Sequence, residues 1–370
     1  MRRQRLALGA VALVAVSTGV VVGARNGDRS DMKSDARAGP ACPARIADDP
    51  RRLVGQMLVV RLEATATPEL LRAARRGEIG GLIAFPPPGT PATQLREAID
   101  RLQRAALAGD NPPLLVATDQ EGGEVKRLPG PPDRSPAELT SAGAAATTAE
   151  GEATGRYLKK LGINVDLAPV FDLGPSESFV ASRAFDADPD VVSEIGTSFA
   201  KGMDTAGVAA TAKHFPGLGL ATQNTDLAPS AVDATRTQLE PGLEPFRTAI
   251  AAGAPLVMIA NAVYPAYEPE VPAVASGRVI TRLLRGRLRF EGVVITDDLL
   301  AGALSAGGYD AGAAGVAAAR AGADLLLYAR APAPGVPSVL IEALEDDRLD
   351  AARLRESCTR ILALKARYAR

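Results

Sequence analysis

Eight short apolar runs recur along the chain, and their spacing limits the fold more than any single motif. They are Met57–Leu62, Gly81–Phe85, Leu114–Thr118, Ile163–Ala168, Val208–Ala212, Leu256–Ala260, Val293–Thr296 and Asp324–Tyr328. Each is four to six residues long and almost continuously apolar. That is the pattern of strands buried on both faces of a parallel sheet. Helical stripes lie between them. Leu95, Ile99, Leu102 and Ala106 step by 4, 3 and 4. Asp188-Pro189 opens a stripe of Ile195, Phe199 and Met203, and Leu243, Phe246 and Ile250 form another. Gly162, Gly207, Gly253, Gly292 and Gly322 sit where a left-handed residue would return a helix to the next strand. The rhythm predicts a single-domain (β/α)8 TIM barrel over 45–370, closed by a last helix at about 350–367. A doubly wound open sheet is the rival, but no G-x-G-x-x-G follows the first run.

The first 24 residues read as an export signal. Arg2, Arg3 and Arg5 precede an apolar run of 19 residues from Leu6 to Ala24, and Val22-Gly23-Ala24 offers a small-residue cleavage site. Cleavage is the favoured reading, and retention as a membrane anchor is the alternative. Residues 25–44 are polar and aperiodic and read as a disordered linker. An exported chain meets an oxidising compartment, so Cys42 and Cys358 are candidates for a disulfide; a buried thiol at Cys358 is the plainer reading.

Charge and ligand counts exclude several functions. The formal net charge is −1, which argues against nucleic-acid binding. One histidine and two cysteines are too few for a typical zinc or iron site, so no metal or cofactor is expected. The absence of Trp counts mildly against a carbohydrate ligand.

Barrel enzymes place their chemistry at the C-terminal ends of the strands. There the third run leads to Asp119, the fourth carries Asp166 and runs on to Asp172, and the fifth leads to Lys213-His214. The sixth leads to Asn261 and the seventh to Asp297-Asp298. Each alone could be a helix cap, Asp298 above all, and His214 could be a satisfied core histidine. Together they put polar groups at one end of the barrel.

These residues also match a family. The segments Asp119–Val125 (DQEGGEV), Ala168–Asp172 (APVFD), Ser182–Phe185 (SRAF) with Asp188-Pro189, Lys213–Gly219 (KHFPGLG) and Val293–Leu299 occur in order. The chain resembles the family 3 glycoside hydrolases, in particular the single-domain β-N-acetylglucosaminidases, from about Val54 to Leu364. The resemblance implies a (β/α)8 barrel and a retaining β-glycosidase with a carbohydrate substrate; joined to the export signal, it gives cell-envelope glycans and peptidoglycan turnover as the expected setting. It implies Asp297 as the nucleophile. Asp119, Arg183, Lys213 and His214 match residues that bind sugar hydroxyls. A monomer is expected, with membrane contact only through an N-terminal anchor.

Departures from the family pattern are specific. Asn224-Thr225-Asp226 stands where the N-acetylglucosaminidases carry an Asp-Ser-His acid/base motif. Leu218 replaces a usual histidine, Glu124 an arginine, and Asn261 a common histidine. A retaining hydrolase needs a group to protonate the leaving oxygen and then deprotonate water. Asp226 is the candidate at the expected position, and it would need burial or the nearby Asp297 to hold a proton near neutral pH. Glu121 or Glu177 could supply the acid instead. The remaining reading is a catalytically impaired sugar-binding pseudo-glycosidase.

Overall fold

The computed structural model describes residues 41–331 and 333–369. Eight parallel strands form one sheet: β1 (Leu58–Leu62), β2 (Gly81–Ala84), β3 (Leu115–Thr118), β4 (Val165–Asp166), β5 (Ala209–Phe215), β6 (Leu256–Ile259), β7 (Val293–Thr296) and β8 (Leu326–Tyr328). Their order is β8-β1-β2-β3-β4-β5-β6-β7. A parallel bridge between Ile295 and Leu325 brings the two ends together, with the Thr296 N–H donating to the Leu325 carbonyl at 3.0 Å. This is the (β/α)8 barrel that the apolar rhythm predicts. β2, β3, β6 and β7 are buried along their whole length, which explains their unbroken apolar sequences.

The expected helices surround the ring. The Ala92–Ala108 helix buries Leu95, Ile99, Leu102 and Ala106. The Pro189–Thr205 helix starts at Asp188, whose side chain accepts the Asp190 N–H at 2.8 Å, and buries Ile195, Phe199 and Met203. The Arg236–Ala251 helix presents Phe246 to the barrel, where its ring meets Phe215 of β5 edge-on at 5.3 Å. The last helix runs Ala351–Tyr368.

Four of the five glycines between helix and strand take positive φ: Gly162 at 82°, Gly207 at 75°, Gly253 at 85° and Gly322 at 119°. Gly292 does not have this left-handed role. A Cβ there would lie 2.6 Å from the Phe290 ring and 2.7 Å from the Pro255 carbonyl oxygen, so close approach excludes a side chain.

Cys42 and Cys358 are joined in a disulfide, with Cα atoms 5.5 Å apart. The Cys42 N–H also donates to Thr359 Oγ1 at 3.1 Å, so this end of the segment read as linker is fastened to the last helix. The signal or anchor at 1–24 and most of that linker lie outside the described residues. Among the described residues, no helix is long and apolar enough to cross a membrane.

Candidate active site

A cavity of about 280 Å³ opens at the C-terminal ends of the strands. Asp119, Arg183, Lys213, His214, Asp226 and Asp297 all line it, so the barrel brings together these six candidate residues. They come from positions spread over 178 residues, from Asp119 to Asp297, and only a closed ring of strands collects them.

Lys213 is the electrostatic centre of the floor. It is 2% exposed, and its Nζ lies 3.0 Å from Asp119 Oδ1 and 2.6 Å from Glu121 Oε1. Arg183 grips Glu121 with both ends of its fork, Nε to Oε2 at 2.9 Å and Nη2 to Oε1 at 2.7 Å. Burial alone would raise the pKa of Glu121, but the Lys213 ammonium and Arg183 guanidinium outweigh it and hold the carboxyl well below the usual range. Glu121 is therefore a fixed anion, not a proton donor. Glu177 fails differently. It is exposed, its hydrogen bond from Ser176 lowers its pKa, and it does not line the cavity.

β5 carries Lys213 and His214 side by side. Its register with β6 shifts between Ala212 and Phe215, and the Lys213–His214 peptide is cis. The imidazole Nδ1 lies 2.6 Å from Asp172 Oδ2, while Asp172 Oδ1 accepts the backbone N–H groups of His214 at 3.1 Å and Leu218 at 2.7 Å. A carboxylate only accepts, so Nδ1 carries the hydrogen and Nε2 is left for the cavity. Asp172 is fully buried and orients both the ring and the first turn of the following loop.

Asp297 follows β7. Its N–H donates to the Ile259 carbonyl at 2.9 Å, and its Oδ1 accepts the Asp298 N–H at 2.7 Å. Desolvation raises its pKa; the neighbouring His214 and Lys213 oppose that rise and Asp226 adds to it. Asp298 does not cap a helix here. Its Oδ1 accepts the N–H groups of Leu300 at 3.2 Å and Ala329 at 3.0 Å and so ties the end of β7 to the end of β8. Asn261 supports this corner by donating to the Asp298 carbonyl at 2.9 Å.

The loop after β5 brings Asn224, Thr225 and Asp226 to the cavity wall. It is pinned through its backbone: the Gly302 N–H donates to the Asp226 carbonyl at 3.0 Å and the Ala303 N–H to the Thr225 carbonyl at 3.1 Å. Of the two aids the acid/base role would call on, burial or the nearby Asp297, burial is not found at Asp226. Its side chain is 49% exposed and ion-paired with Arg330 at 3.0 Å, because the loop lies at the mouth rather than in the floor.

Three lining residues, Arg61, Arg127 and Arg330, escaped the strand-end reading. Arg61 and Arg127 flank the Phe85 ring, with guanidinium carbons 5.0 and 4.5 Å from its centroid. Arg330 follows β8. Asp172 was visible only as the end of a run, and nothing in the sequence pairs it with His214. The first and eighth strand ends carry Arg61 and Arg330, so applying the same rule to all eight strands would have found both.

A parallel barrel with carboxylates, cations and an imidazole converging on a pocket at its C-terminal mouth has the layout in which barrel enzymes place their active sites. Residues 51–364 match the family model described as "Glycosyl hydrolase family 3 N terminal domain". The chain therefore belongs to glycosyl hydrolase family 3 and is a glycoside hydrolase. It is 36% identical over 345 residues to an uncharacterised secreted glycosyl hydrolase of Arthroderma benhamiae, covering 89% of this chain and 97% of the relative. It is 39% identical over 230 residues to a β-hexosaminidase of Stenotrophomonas maltophilia, covering 58% of this chain and 68% of that one. Among solved structures, the family 3 β-N-acetylglucosaminidase of Paenibacillus sp. superposes with a TM-score of 0.83 at 35% identity. That match covers 86% of this chain but 62% of the Paenibacillus chain.

Proposed function

We propose that the protein is an exported, retaining β-N-acetylhexosaminidase-like enzyme that cleaves glycans of the cell envelope, peptidoglycan fragments among them. The observation that carries the reading is the placement of Asp297 and Asp226 on one cavity with Lys213, His214, Arg183 and Asp119. The β-hexosaminidase and β-N-acetylglucosaminidase relatives support the sugar, and the secreted relative and the disulfide support export.

In this mechanism the Asp297 carboxylate attacks the anomeric carbon. The bond to the leaving oxygen breaks with its electron pair going to that oxygen, and protonated Asp226 delivers the proton. Water then attacks the same carbon, Asp226 takes the water proton, and the ester electrons return to Asp297. Lys213 and Asp119 bind hydroxyls of the sugar, and His214 offers Nε2. Charge-assisted hydrogen bonds of this kind are about twice as strong as neutral ones.

Asp297→Ala should abolish hydrolysis of aryl β-glycosides. Asp226→Ala should slow alkyl or disaccharide substrates far more than activated aryl ones, and azide should restore turnover by trapping the glycosyl-enzyme as the glycosyl azide. Equal loss on both substrate types, with no azide product, would rule out Asp226 as acid/base. The exposure and ion pairing of Asp226 favour one second reading, a sugar-binding protein without turnover. That reading predicts no hydrolysis of any aryl glycoside, with a measurable Kd for free sugar that His214→Ala weakens.

A further inference from the structure

Asp226 does not stand free at the cavity mouth. Arg330 Nη2 lies 3.0 Å from Asp226 Oδ1, and Arg330 Nε lies 3.2 Å from Asp298 Oδ2. Asp298 is the rigid end of this chain of contacts. Its side chain is 8% exposed, and its other oxygen is held by two backbone N–H groups across the β7–β8 corner. The guanidinium is planar, so seating Nε on Asp298 fixes where Nη2 points. Asp226 has few other anchors. Asn224 Oδ1 accepts its backbone N–H at 2.9 Å, and Gly302 donates to its carbonyl at 3.0 Å, but neither touches the carboxylate. Arg330 also answers a charge problem: Asp226, Asp297 and Asp298 all border this side of the cavity.

We propose that Arg330 is a positioning residue that aims the Asp226 carboxyl at the glycosidic oxygen, using the buried Asp298 as its fulcrum. The inference rests on Asp226 being the acid/base. Arg330 and Asp226 are 41% and 49% exposed, so water screens the attraction between them.

The test compares Arg330→Met, Arg330→Lys, Asp226→Ala and the Arg330→Met/Asp226→Ala double variant on two β-N-acetylglucosaminides. One has a nitrophenol leaving group and the other an alkyl alcohol. Positioning predicts that Arg330→Met loses at least tenfold in kcat/KM on the alkyl substrate and less than about threefold on the aryl one. The double variant should be no slower on the alkyl substrate than Asp226→Ala alone, since an aimed group that is gone cannot be misaimed. Arg330→Lys should recover part of the loss. Equal losses on both substrates, additive losses in the double variant, or an Arg330→Met enzyme that matches wild type on the alkyl substrate would each overturn the proposal. If Asp226→Ala itself lacks the leaving-group signature and azide rescue, the acid/base reading falls. If Asp226→Ala shows both and Arg330→Met does not, only the role of Arg330 falls.

Discussion

Asp166 shows how much a single buried carboxyl can matter beneath this site. It is fully buried at the end of β4; Oδ1 accepts the Gln120 N–H at 3.0 Å, and Oδ2 has no hydrogen-bond partner among the described residues. Burial pushes its pKa up to about 8, with Asp119 and Glu121 adding to the rise and the Gln120 N–H and Lys213 opposing it. In the unfolded chain an aspartate titrates near 4, at roughly 3.9. Between those two values the folded protein holds a proton that the unfolded chain has lost, so stability is greatest at the acid end and falls as pH rises towards 8. Asp166→Asn should therefore raise stability at pH 7 by on the order of a few kcal/mol, and the gain should shrink towards pH 4. Denaturant unfolding of both proteins at pH 4.5 and 7.5 checks this, and an identical difference at both pH values would refute it. At this scale strand-end position and motif pointed to the six candidate residues that line the cavity. The sequence could not expose Asp172 as the partner of His214, since the pair is made in space across 42 positions. Nor could it reveal the exposure of Asp226, which depends on how far its loop lies from the barrel floor.

Among the elements, the loop after β5 and the segment after β7 act together. Gly302 begins the short Gly302–Ala306 helix directly against the loop. A Cβ added there would lie 2.5 Å from the Leu227 carbonyl oxygen and 3.1 Å from that of Asp226. Backbone atoms at that distance must move, and the atoms that must move carry the proposed acid/base. Gly302→Ala should cost on the order of tenfold or more in kcat/KM on alkyl glycosides, in line with the effect of small misplacements of catalytic groups. Binding of free sugar should change little. An unchanged kcat/KM would show that the loop gives way without cost. The strands were legible at this scale because double-sided burial leaves an unbroken apolar run. Gly292 was misread because a glycine needed for close approach and one needed for positive φ look alike in sequence.

For the whole molecule, the disulfide between Cys42 and Cys358 ties the segment before β1 to the closing helix, across a sequence separation of 316. A cross-link over so long a loop removes much of the freedom of the unfolded chain. The Cys42→Ser/Cys358→Ser variant should lose about 2–4 kcal/mol of stability by denaturant unfolding. Wild-type protein denatured without reductant should show no free thiol at these positions, and two reactive thiols would contradict the pairing. The barrel was the most legible feature of all, since eight runs with helices between them leave few other closed architectures. We propose that this ring poises Asp297 to form a covalent bond with an anomeric carbon. The most direct measurement is incubation with activated fluoro-β-glycosides, 2-fluoroglucosides and 5-fluoro-N-acetylglucosaminides, followed by intact and peptide mass spectrometry. One added sugar is expected, located on Asp297 and missing from Asp297→Ala. An adduct on another residue, or hydrolysis of these reagents with no adduct at any time, would contradict the proposal.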